Sequence, residues 1–429
     1  MNTIASDTTL RAAEWVLPGH PDKLADAVAD ALVQAAQQRQ AEALCAIEVA
    51  VHRDQVYLTG RLACEGADQL PLPDLVREVY RSAGYGAGQG GAPAGTSQAV
   101  DPDTTLWRPA PQDLTVAGNL CVEPLVPGEE RIRHISDDQS IVTGYAIDLP
   151  GIGCIPPEQW LAREVARRLF AHVHSPLRLC PDGKVLVVLE ENGSGPRRWR
   201  LHAVSCSLLA QCGDIALHRA AALAVREAAQ ALALRMPAFD PTFEPGTSQA
   251  FVVNGSGTFS IGGPEGDNGL SGKKLLLDHY GPRVPIGGTA LSGKDFWKPD
   301  RAGTLLARRL ALAVVQSGVA PEANVQFVAF PGDEAPRLVR ITTPQGELPE
   351  ASRWLRLLDC RFETASTWGR GVDLVERARS PAPRARCRTT PSARAPRGPR
   401  CGPRCLPSRS GSPAAAASAM PGAVRPGAW

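Results

Sequence analysis

Aromatic residues are scarce in this chain, at 5% of 429 residues, and only three methionines occur. No apolar run approaches the roughly 18 residues that a membrane helix needs; even the stretch from Leu305 to Val315 is cut by Arg308 and Arg309. Met1 to Leu10 lacks a basic region followed by an apolar one, which argues against a secretory signal and for a cytoplasmic protein without membrane contact. Cys401 and Cys405 form the one tight pair among 11 cysteines, with neither a histidine nor a second pair nearby. Reduced thiols are therefore expected rather than a zinc site.

Charge is nearly balanced, 46 Lys+Arg against 44 Asp+Glu, but unevenly spread. Residues 380–429 hold nine arginines and neither a lysine nor an acidic residue; without them, 37 basic residues face 44 acidic ones, a balance of −7. The basic character thus belongs to the tail, and the rest carries no nucleic-acid footprint. Almost without large aliphatic side chains, the tail cannot offset its ordering entropy and is expected to be disordered. The alternative is that GC-rich codons have been read there out of frame.

What the chain does have is length for two to four domains and a repeated order of elements. Leu24, Ala27, Val28, Ala31, Leu32 and Ala35 share one helical face, with Pro21 tolerated in a first turn. They predict a helix from about Asp22 to Gln38. Strands near Ile47 to Val51 and Val56 to Leu62 follow, then a helix from Pro71 to Ser82. The order returns as a helix at Pro157 to Val173, strands at Lys184 to Glu190 and Trp199 to Cys206, and a helix at Asp214 to Leu234. It returns again as a helix at Arg301 to Ser317, strands at Asn324 to Ala329 and Arg337 to Thr343, and a helix at Glu350 to Leu358. The expected fold class is α+β: three similar domains in a pseudo-threefold arrangement, spanning 7–117, 118–249 and 250–378, with 379–429 as tail. Irregular stretches at Gly84 to Gly95, Pro109 to Asp138 and Phe251 to Pro299 are where function is expected.

The last of these holds Gly262-Gly263-Pro264-Glu265-Gly266-Asp267-Asn268-Gly269-Leu270-Ser271-Gly272-Lys273-Lys274. Glycines let backbone amides approach a polyanion, and adjacent lysines supply charge for phosphate oxygens. It is not a P-loop, since Lys274 stands where Ser or Thr belongs, and by composition alone a solvated glycine turn explains it equally well. A second such loop runs from Gly287 through Ser292-Gly293-Lys294-Asp295 to Lys298-Pro299-Asp300-Arg301, where Asp300 either caps the next helix or holds a divalent cation. A third element, Gly19-His20-Pro21-Asp22-Lys23, opens the first long helix, whose unpaired amides suit an anion. There Asp22 suits Mg²⁺, and His20 suits donation to developing negative charge.

These three motifs resemble the signatures of the methionine adenosyltransferases, the S-adenosylmethionine synthetases, in the right order over about Asp7 to Gly371. The resemblance implies displacement at ribose C5′ of ATP by the methionine sulfur, release of triphosphate and its hydrolysis to phosphate and pyrophosphate. It implies Mg²⁺, K⁺ and a homodimer or homotetramer with active sites between subunits. His20, Lys184, Lys273, Lys274 and Lys294 would hold ATP and its phosphates, with Asp182, Thr258, Phe259 and Ala290 lining the nucleotide site. Asp22 and Asp300 would ligate Mg²⁺ and Glu48 would ligate K⁺. Asp138, Asp267 and Lys298 would face the amino acid and sugar. Without the resemblance, Asp182-Gly183 reads as a hairpin turn, Glu48 as a solvent-face charge and Phe259 as core.

Departures from the family pattern gather on the amino-acid side. Arg61, in Gly60-Arg61-Leu62, stands where a glutamate binding the methionine ammonium is usual, and an arginine there would attract a carboxylate instead. Leu120-Cys121-Val122-Glu123-Pro124 replaces a glutamine-bearing loop, and Lys273 replaces an arginine. Ile286 replaces a histidine, and a Ser-Thr-Gln-His segment is missing near Ser205 to Cys212. The usual ending is lost beyond Trp368-Gly369-Arg370. The expectation is a preserved ATP half and an altered nucleophile half, which leaves two further readings: an enzyme for a methionine-like nucleophile, and a regulatory homologue that does not turn over. A kinase is disfavoured by the glycine spacing.

Overall fold

A computed structural model describes residues 8–86, 107–193, 196–244, 251–349, 351–356, 358–369 and 371–379. The tail, with Cys401 and Cys405, much of the 84–95 stretch, and Arg370 lie outside these. In chain order the elements begin with β1 (Thr8–Val16), α1 (Pro21–Arg39), β2 (Leu44–His52), β3 (Gln55–Ala63), α2 (Leu72–Ala83), β4 (Thr115–Gly118) and β5 (Cys121–Glu123). There follow α3 (Glu129–Ile132), β6 (Ser140–Ile147), α4 (Pro157–Phe170), β7 (Leu179–Asn192), β8 (Trp199–Ala210), α5 (Asp214–Arg235), β9 (Phe239–Asp240) and β10 (Phe251–Val253). The chain continues through β11 (Gly269–Leu270), α6 (Leu275–Asp278), α7 (Pro299–Gln316), β12 (Glu322–Ala329), β13 (Arg337–Thr343) and β14 (Gly346–Glu347), ending in α8 (Ser352–Leu355), α9 (Phe362–Ser366) and α10 (Leu374–Arg379).

The class is α+β. Three antiparallel hairpins, β2–β3, β7–β8 and β12–β13, each follow a long helix, α1, α4 and α7, and each nucleates one sheet. The first strand of every hairpin takes a second antiparallel neighbour from a distant segment: β11 on β2, β1 on β7 and β6 on β12. These exchanges carry the sheets across the spans 7–117, 118–249 and 250–378. Those spans describe helix-and-hairpin units and not whole sheets. The physical cause is visible in the cores: Ala13 and Trp15 of β1 are buried with Val185, Val187 and Leu189 of β7 rather than with the neighbouring α1. The second and third cores gather on α1 and on α7.

The expected helices and hairpins are present, with boundaries shifted by a few residues at most, except the last helix. Where Glu350 to Leu358 was expected helical, only α8 forms among the described residues. None of the eight described cysteines is in a disulfide, and six of them are buried. No described helix is long and apolar enough to cross a membrane.

Candidate active site

Helix α1 is buried almost all round from Pro21 to Val33, which an apolar helix tolerates, yet it carries Asp22, Lys23, Asp26 and Asp30 inward. Every one of these charges has a partner. Lys23 Nζ donates to Asp26 at 2.8 Å and to Asp278 at 2.6 Å. Although burial alone would pull it down, those two carboxylates hold the Lys23 pKa above its ordinary value, so the ammonium stays charged. Asp30 pairs with Arg301.

At the N-terminus of α1, His20 serves as the helix cap: its Nδ1 accepts from the Asp22 amide at 3.2 Å. That bond leaves the proton on Nε2, a free-facing donor. Burial, reinforced by Lys274, Lys184, Lys273 and Lys23, drives the imidazole pKa down to about 2, so the ring is neutral. Lys273 and Lys274 approach Asp22 at 3.6 and 3.5 Å, and Lys274 approaches Glu14 at 3.5 Å. Those distances attract electrostatically without spending the ammonium hydrogens on a hydrogen bond. A cavity of about 360 Å³ opens beside the lysine pair, lined also by Glu14 and Leu186.

Across from His20, Asp182 Oδ2 accepts from the Gly263 amide at 2.9 Å while its Oδ1 is buried without a partner. Burial raises the Asp182 pKa against the pull of Gly263 and Lys184; Asp267 lies close enough to raise it further. Tyr85 holds the two loops together, donating from its hydroxyl to Gly19 O at 2.7 Å. A Cβ on Gly263, whose φ is +67, would stand 2.2 Å from that same hydroxyl oxygen, so only glycine fits.

The structure thus brings together His20, Asp22, Lys184, Asp182, Asp267, Lys273 and Lys274. Lys294 and Asp300 form a second cluster, paired with each other at 2.5 Å, with Ser140 Oγ donating to Asp300 at 2.6 Å. Lys298 pairs with Asp137, and not with Asp138, which is exposed and bonds only locally to Gln139 and Ser136. Beneath this loop Asp295 is wholly buried, salt-bridged to Arg133 at 2.7 Å and accepting from the amides of Cys45 and Trp297 at 2.7 and 2.8 Å.

Between the clusters lies the exposed face of the β2–β3 hairpin. Glu48 accepts from Ser271 Oγ there, two residues before Lys273. Lys294, Ala46, Arg61 and Cys121 align as strand partners in one row. Arg61 is held by Glu123 at 3.0 Å and Glu129 at 2.6 Å. Arg61 does attract carboxylates, here those of the chain itself: two surround one guanidinium, so the formal charge of the cluster is negative. Ala290 packs near Gly272, and Phe259 near Gly262. Thr258 instead faces Asp214, at the start of α5.

Residues 8–99 match the model of the S-adenosylmethionine synthetase N-terminal domain, and residues 261–366 match that of the C-terminal domain. The chain is 31% identical over 347 residues to the S-adenosylmethionine synthase of Thermus thermophilus, covering 80% of this chain and 84% of that one. Proteins of the same name from Thermosynechococcus vestitus and Synechococcus elongatus are 31% and 30% identical, covering 76% and 79% of those chains. The chain belongs to the S-adenosylmethionine synthetase family. The two matched segments contain the His20 motif and both glycine-lysine loops of this family member. Sequence reasoning missed Tyr85, Asp137, Glu129 and the supporting roles of Asp26, Asp30 and Asp295. Of these only the spacing Asp22, Asp26, Asp30, four residues apart on an apolar helix, left a legible signal.

Proposed function

We propose that this protein makes S-adenosylmethionine from ATP and methionine, releasing triphosphate that it then hydrolyses to phosphate and pyrophosphate. The observation that carries this reading is the gathering at the start of α1 of Lys273 and Lys274 about Asp22, beside the capping His20 and with Lys184 paired to Val16 at the end of β1. A thioether sulfur needs no deprotonation before attack at C5′, so catalysis consists of holding the substrate and stabilising the departing polyphosphate. Lysine ammonium groups standing 3.5 Å or more from their nearest carboxylates keep hydrogens for phosphate oxygens. The His20 Nε2–H donates to the oxygen on which charge grows, and the orphaned Asp182 Oδ1, its sister oxygen held by the Gly263 amide, suits a nucleoside hydroxyl or amino donor.

Asp22 and Asp300 would hold Mg²⁺ and Glu48 would hold K⁺. Single carboxylates at separate places fit a magnesium ion completed by substrate phosphates rather than an all-protein cage, and no group of three metal-ligating side chains occurs among the described residues. Bound there, the cations would neutralise phosphate charge. Eight residues of α1 separate Asp22 from Asp30, roughly 12 Å, and Lys294 lies at the far end, which supports a site completed by a second copy in a homodimer or homotetramer.

Incubation with ATP, Mg²⁺ and K⁺, with and without methionine, followed by mass spectrometry, tests the reading: S-adenosylmethionine should appear only with methionine. One observation favours a second reading, in which the nucleophile is methionine-like but altered: the Glu123–Arg61–Glu129 cluster. Phosphate release from ATP without S-adenosylmethionine would select it. Failure to bind Mg²⁺ and ATP at all would leave a regulatory homologue.

A further inference from the structure

Asp22, Asp26 and Asp30 recur every fourth residue and so line one face of α1, with relative exposures of 2%, 0% and 3%. Each accepts one backbone amide from the two glycine-lysine loops: Leu270 to Asp22 at 3.1 Å, Gly272 to Asp26 at 2.8 Å and Gly293 to Asp30 at 3.0 Å. Gly272 immediately precedes Lys273, and Gly293 immediately precedes Lys294. The other side of both loops docks on the edge of β2, where Ser271 N donates to Val49 O and Ile47 N donates to Gly293 O, both at 2.9 Å. Gly293 has φ +83, and a Cβ there would stand 2.0 Å from Ile47 O.

The two supports are commensurate. Four helical residues rise about 6 Å and two strand residues about 6.7 Å, so successive carboxylates of α1 meet successive docking points on β2. Buried carboxylates are costly without compensation, and the cations Lys23 and Arg301 supply it for Asp26 and Asp30. None of this touches the cavity beside Lys274.

We propose that Asp26 and Asp30 are positioning residues: through the amides of Gly272 and Gly293 they fix both lysine-bearing loops in register with the His20 end of α1. The proposal rests on the reading that these lysines hold triphosphate. Inorganic triphosphate with Mg²⁺, titrated calorimetrically into the intact protein, is the probe. Asp26→Ala should weaken its binding roughly ten- to a hundredfold, the value of a hydrogen bond to a charged group. Asp26→Asn, which keeps an acceptor oxygen for Gly272 while Asp278 still pairs with Lys23, should restore most of it. Asp26→Leu, of similar bulk but without an acceptor oxygen, should not restore it, whereas it would if packing alone were lost. A folded Asp26→Ala protein binding triphosphate within about twofold of the parent overturns the proposal. No binding by the parent protein removes the lysine reading itself and the proposal with it. Should Asp26→Ala fail to fold, hydrogen exchange on the unaltered protein decides: amides of Gly272 and Gly293 should be as protected as the middle of α1, and exchange at the rate of open loops refutes the assignment.

Discussion

The lysines at the start of α1 and the arginine on the exposed face of β3 both stand among carboxylates, but at different distances. Lys273 and Lys274 sit 3.5 to 3.6 Å from Asp22, too far to satisfy a donor, whereas Arg61 lies 2.6 to 3.0 Å from Glu129 and Glu123. The first region keeps its hydrogens available for an incoming anion. The second has already used most of its own, so it presents the outer face of Glu123 instead. Donors left unspent, rather than charge as such, distinguish the side on which the proposed phosphate chemistry would take place.

Four changes would break or sharpen that contrast. The largest effect is expected from Arg133→Met, which strands Asp295 as a buried charge beneath the Lys294 loop; unfolding in urea should show a loss of about 3–5 kcal/mol. Next, Lys274→Ala should lower kcat for S-adenosylmethionine formation roughly 10²- to 10³-fold, in the range of a lost transition-state donor, with the melting temperature little changed. Arg61→Ala should be milder, releasing Glu123 and Glu129 to compete for any cation: the KM for the amino acid should change about tenfold while that for ATP moves far less. An equal change in both would show that the two regions are not functionally separate.

The smallest effect concerns tight pairs with no role in binding. Burial alone would raise the Glu191 pKa, but Arg283, Arg11 and Arg197 outweigh it and hold the carboxyl below its ordinary value. A depressed pKa means the unfolded chain binds the proton more readily, so stability is present above the ordinary carboxylate range and is lost as pH falls through the folded value. Urea midpoints measured from about pH 6 down to about pH 3 should fall, and Glu191→Gln should flatten part of that slope.

The sequence revealed the long helices and hairpins because their apolar residues repeat with clear periods, as at Leu24 to Ala35 and Ile47 to Val51. It did not reveal β1 or β6, whose partners lie far away in the chain: Trp15 faces Val185, and Val142 faces Phe327. Periodicity reports a face, not its partner. The same limit governed the site. Lys273, Lys274 and His20 were legible from local motifs, while Tyr85 and Asp295 act through contacts with residues more than 60 positions away. Arg61 was read alone, and only the neighbouring strand β5 and helix α3 reverse the sign of its surroundings.

The interleaving of β1, β6 and β11 among the three sheets bears on biosynthesis. An emerging nascent chain exposes the rim of β2 until residue 269 has been synthesised, and β6 waits for β12, some 180 residues later, before it can pair. An open rim is a template for another chain, and distant pairing is slow. Expression of fragments cut between these strands should therefore yield insoluble protein, since among the described residues the β7–β8 sheet is finished only at residue 253, the β2–β3 sheet at 270 and the β12–β13 sheet at 347.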